Sequence, residues 1–87
     1  MGDHAFHFRS FEFDEKHPYT IIFVGTCTQI SRTVKIEYSG AEIRTNASIP
    51  DSWLTDLKTA LNNDYGHGEF TRSQINKIFE KHNHYVF

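Results

Sequence analysis

The run Tyr19-Thr20-Ile21-Ile22-Phe23-Val24 constrains this chain more than any other stretch, because apolar residues occupy both of its alternating faces. A strand of that kind belongs in the middle of a sheet with cover on both sides. Its neighbours alternate apolar and polar, as half-exposed strands do. Two helical stripes further along the chain account for cover on one side. What covers the other side is the question that bears on partners.

The chain has 87 residues, too few to bury two cores, so residues 1–87 are read as one domain. Aromatics make up 15% of it, with eight Phe, and that supply of apolar area argues against disorder. A net charge of −2 with interspersed signs gives no electrostatic pull toward nucleic acid or an anionic membrane. The single cysteine, Cys27, rules out an intramolecular disulfide and fits a reducing compartment. Met1-Gly2-Asp3-His4 has neither the basic nor the apolar region of a signal peptide, and no apolar run is long enough to span a bilayer. The expected setting is the cytoplasm.

The first half of the chain reads as strands. His4 to Phe13 is a strand with a fault in it. Phe6 and Phe8 share one parity, Phe11 and Phe13 the other, and a bulge near Ser10 brings all four onto one face, whereas a regular strand splits them. Residues 19–28 form the second strand, with Gly25 marking a bulge or a close approach. Ile30–Tyr38 and Ala41–Ile49 read as a hairpin turning at Ser39-Gly40. A two-residue turn there sets Glu37 against Glu42 and Lys35 against Arg44.

The second half reads as helices. Pro50 and Asp51 open the first, whose stripe is Trp53, Leu54, Leu57, Ala60 and Leu61, with a loop from Asn62 to Gly68 after it. Thr71-Arg72-Ser73-Gln74 is a capping box, with Phe70 and Ile75 at staple spacing, and opens the second. The tail Tyr85-Val86-Phe87 is apolar enough to dock as a short edge strand. The fold class expected is α+β: a four-stranded, mostly antiparallel sheet followed by two helices (ββββαα) on one sheet face.

Chemistry is hard to find. His4 and His7 point to opposite faces of a strand, and no thiol or acidic pair stands at zinc spacing, so no metal and no cofactor are expected. Asn63 to Gln74 has the outline of a calcium loop, but Tyr65, His67 and Gln74 occupy ligand places. Cys27 has the parity of a packed face, and Asp64 with His67 offers an acid–base pair in a loop; no pocket is marked, and no enzyme is expected.

Arg72, Ser73, Gln74, Asn76 and Lys77 resemble a recognition helix in composition, which gives an alternative reading as a small nucleic-acid-binding regulator. The preceding loop and Glu80 weaken that reading. The favoured expectation is a protein-binding module whose partner is a second copy of the chain or a different protein. Ile22, Val24, Phe11 and Phe13 would make the apolar contact, with Asp14, Glu15, Glu37 and Glu42 around it. Short acidic α+β chains without cofactors are common among phage and mobile-element proteins. A steric inhibitor of host nucleic-acid defence, of anti-CRISPR or anti-restriction type, is the specific form of this expectation.

Overall fold

In the computed structural model, which describes residues 4–87, the chain folds into five strands and two helices. Met1–Asp3, read above as part of a segment without a targeting signal, lie outside the described residues. The elements are β1 (Ala5–Glu12), β2 (Ile21–Cys27), β3 (Val34–Tyr38), β4 (Ile43–Thr45), α1 (Asp51–Tyr65), α2 (Arg72–Lys81) and β5 (His84–Val86). The strands form one antiparallel sheet in the order β4-β3-β2-β1-β5. The doubly apolar strand is therefore the central one. It begins at Ile21 rather than Tyr19, which is exposed.

The fault in β1 is a bulge. Phe8 pairs with Gly25 and Ser10 with Val24, so the register slips by one residue around Arg9. The slip reverses parity, and Phe11, opposite Phe23, joins Phe6 and Phe8 on one face. That face is the core: Phe6, Phe8, Ile21, Phe23, Val34, Ile36 and Tyr38 are at most 1% exposed. Each such aromatic contributes roughly 1.5–3 kcal/mol by leaving water. Gly25 belongs to the same device. A Cβ there would stand 2.0 Å from the carbonyl oxygen of His7, so the close approach of the bulged strand leaves room only for glycine.

Both helices cover this face. The Phe23 ring lies 5.3 Å from that of Tyr65 on α1 and 6.3 Å from that of Phe79 on α2. Leu57, Leu61 and Tyr65 form the buried stripe of α1, which runs through Asn62–Tyr65 where the sequence reading placed a loop. The Asn-rich composition suggested a break there, but burial of Tyr65 against Phe23 and Tyr38 continues the helix by another turn. At α2 the Thr71 hydroxyl accepts the Gln74 backbone N–H at 3.1 Å, the N-cap bond that the capping box predicts, and Phe70 and Ile75 are both buried beside it.

The hairpin differs from its expected register. Glu37 pairs with Arg44 and Tyr38 with Ile43, because the turn centres on Gly40-Ala41 instead of Ser39-Gly40. Gly40 has φ 85, and the Ser39 hydroxyl accepts the Glu42 N–H at 3.2 Å in place of a backbone carbonyl. The shift removes the like-charge pairs and, being two residues in register, leaves the inward set unchanged. The strands are also shorter than the alternation implied: β3 starts at Val34 and β4 ends at Thr45.

The tail pairs with β1 as β5, giving the sheet one strand more than expected. Tyr85 points into the core and Val86 outward. At the same edge His4, 5% exposed, is stacked between Trp53 at 4.6 Å and Phe87 at 5.2 Å. Among the described residues no helix is long and apolar enough to cross a membrane.

Candidate functional site

Phe6, Phe8 and Phe11 of β1 and Tyr85 of the tail lie on the helix side, Phe13 reaches only the rim of the outer face of the sheet and Val86 is exposed, so the chain leaves Ile22 on that face incompletely covered. That face carries Ile22 and Val24 on β2, with Glu12, Lys35, Glu37 and Arg44 exposed on the flanking strands. Two side-chain links span β2. Lys35 Nζ meets Glu12 at 3.5 Å, and Arg9, thrown outward by the bulge, donates to the Thr33 hydroxyl at 3.1 Å. Long stems crossing a strand exclude water from it while their charged ends stay wet. Val24, at the level of these links, is 8% exposed, whereas Ile22 beyond them is only half-buried.

Ile22 stands between two grooves. One, of about 350 Å³, is lined by Ile22, Lys35, Glu37, Arg44, Thr45 and Asn46. The other, of about 330 Å³, is lined by Glu12, Phe13, Asp14, His17, Thr20 and Ile22. Neither Asp14 nor Glu37 forms an ion pair with another described residue. The result is an apolar centre flanked by two carboxylates that neutralise no described cation, that of Asp14 accepting only the Lys16 backbone N–H at 2.9 Å among the hydrogen bonds of the described residues. Another hollow, about 520 Å³ between the β3–β4 turn and α1, is open and ringed by charges of both signs, including Arg44, Asp51 and Lys58.

The residues singled out from the sequence are only partly brought together. Ile22, Glu37, Asp14 and the rim of Phe13 meet across the two grooves. Val24 lies beneath the polar links. Phe11 is on the opposite face against Phe79, ring centres 5.3 Å apart. Glu15 lines a separate hollow with Phe70 and Arg72, and Glu42 is at the hairpin turn, paired with Arg44 at 3.0 Å.

Arg72, the foremost phosphate-reaching side chain of the recognition-helix reading, is engaged within the fold. Its guanidinium donates to the Phe13 carbonyl at 2.6 Å and lies 5.7 Å from the centre of the Phe13 ring. Cys27 is buried at 2% exposure, and desolvation pushes its thiol above the ordinary range, so the nucleophilic thiolate is disfavoured.

Sequence reasoning missed one polar cluster. Asp64 does not pair with His67, whose ring would abut a side chain at Gly40. Its Oδ2 receives the Tyr85 hydroxyl at 2.7 Å and faces His82 Nδ1 at 2.7 Å, while His82 Nε2 faces the His84 carbonyl at 2.9 Å. Both ring nitrogens of His82 thus face oxygen atoms. The trio joins α1 to β5 as a clasp. Spacing offered no signal for it, since the three residues come from different elements.

No protein-family model, curated protein or solved structure matches the chain.

Proposed function

We propose that the chain is a non-enzymatic protein-binding module that docks through the outer sheet face centred on Ile22. The observation that carries this reading is the half-buried apolar Ile22 between two grooves, with the carboxylates of Asp14 and Glu37 outside any ion pair among the described residues. Such a surface suits a partner with an apolar projection between basic side chains. In its specific form the reading is a steric inhibitor, of the kind phages and mobile elements direct at host nucleic-acid defence, whose basic grooves supply the matching charge. The buried Cys27, whose thiol desolvation keeps protonated, supports a role without catalysis.

The test is affinity capture from a host lysate with mass-spectrometric identification, run beside Ile22→Asp and Asp14→Lys. Ile22 is partly exposed, so Ile22→Asp should keep the native circular dichroism. The wild type should enrich a protein with a basic surface, and both variants should lose it. Equal capture by folded variants, or a wild type that captures nothing, overturns the reading.

A further inference from the structure

We propose that His7 and His84 form a two-histidine site for a zinc-class divalent cation across the β1–β5 ladder. The two residues are directly opposite each other in the antiparallel register. Phe6, Phe8 and Tyr85 beside them point into the core, so both histidines project from the outer face, where both are exposed. Their ring centres are 5.1 Å apart and the planes are tilted by 37°. Two imidazoles bound to one tetrahedral cation, each at about 2.0–2.1 Å, have ring centres about 5 Å apart, so the spacing of the two rings suits a shared cation. No ion pair and no hydrogen bond to a side chain occupies either ring among the described residues.

The backbone under the pair is fixed from several directions. His7 lies on a strand paired on both sides, with Thr26 of β2 and His84 of β5. Next to His84, the Asn83 carbonyl accepts the Phe8 N–H at 2.8 Å, and Asp64 holds His82 and Tyr85. A preset pair of ligands forgoes much of the ordering cost of binding. Imidazole nitrogen selects zinc and its neighbours over magnesium and calcium, which take oxygen ligands. No group of three or more His, Cys, Asp or Glu among the described residues is placed to hold a metal. The cation would therefore keep water in its other positions, as an exchangeable site does, and would bridge a three-residue edge strand to its neighbour.

Isothermal titration with zinc chloride, paired with thermal unfolding in millimolar zinc, decides the matter. The wild type should bind one zinc and unfold at a higher temperature, with reversal by chelator. Its affinity should drop in acid, where protons compete for the nitrogens. The double variant His7→Gln/His84→Gln should lose at least about tenfold in affinity together with the thermal shift. His67→Gln, at an exposed position beside Gly40, should bind zinc as the wild type does. Because both histidines are exposed, the metal-free midpoint of the double variant should stay near that of the wild type, which verifies its fold. A wild type without binding at millimolar zinc, a double variant with undiminished binding, or an equal response to magnesium overturns the proposal.

Discussion

At the scale of the residue, Gly25 shows how one missing atom allows the rest of the pattern. The bulge that turns Phe11 inward presses the β1 backbone against β2, and the His7 carbonyl and Phe8 Cα fill the space a side chain would need. Backbone atoms cannot swing aside as a flexible side chain can. Gly25→Ala should therefore cost about 3 kcal/mol or more in urea unfolding. Gly68→Ala, at φ 95 with open space around it, should cost only about 1 kcal/mol for the strained backbone. Comparable losses at the two sites would refute the close-approach account. The glycine and the parity fault were both legible in the sequence, since alternation is a strict two-residue rule and any break in it must be absorbed locally. The coverage of Val24 was not legible, because Arg9 and Lys35 reach across a strand to partners that only the register identifies.

At the scale of the element, legibility followed how local the stabilising interactions are. The α2 start is set by a bond between Thr71 and Gln74, three positions apart, and the sequence announced it. The end of α1 depends on Tyr65 finding Phe23 and Tyr38, contacts distant in sequence, and propensity alone put the end too early. The hairpin turn was misplaced by one residue because Ser39-Gly40 and Gly40-Ala41 both offer a glycine, and cross-strand pairing settles the choice. The clasp of Asp64, His82 and Tyr85 is the least local of all. Replacing Asp64 with Ala leaves the buried Tyr85 hydroxyl without its acceptor, and should cost about 2–3 kcal/mol in urea unfolding. Tyr85→Phe in the Asp64→Ala background should then cost little more, as the two share one interaction. Additive losses would show that Asp64 acts through something other than this clasp.

At the scale of the whole molecule, the core stores phenolic protons. Burial pushes the Tyr38 hydroxyl from near 10 up to about 12. Tyr65 and Tyr85 are pushed further by desolvation, followed for Tyr85 by its hydrogen bond to Asp64 and for Tyr65 by the Asp64 charge. The folded state retains protons that the unfolded chain releases near pH 10, so stability is intact below that value and falls as pH rises through 12. Tyr38 alone removes roughly 2 kcal/mol over that interval. Urea midpoints followed by Trp53 fluorescence should decline from pH 10 to 12, and tyrosinate absorbance of the native protein should lag behind that of the denatured chain. A flat midpoint across that interval would contradict the burial account.

The adjacency of β5 and β1 has a consequence for how the fold can be rewired. The Phe87 N–H donates to the His4 carbonyl at 3.0 Å, so the two ends of the described chain meet in one antiparallel ladder. A short Gly/Ser connection from Phe87 back to His4 would turn the most sequence-distant pairing among the described residues into a hairpin. New ends could open between the exposed Gly68 and Glu69 without cutting a strand or helix. Such a circular permutant keeps the described strand pairings of the sheet and makes the β1–β5 ladder local in sequence, so that ladder can close early in folding.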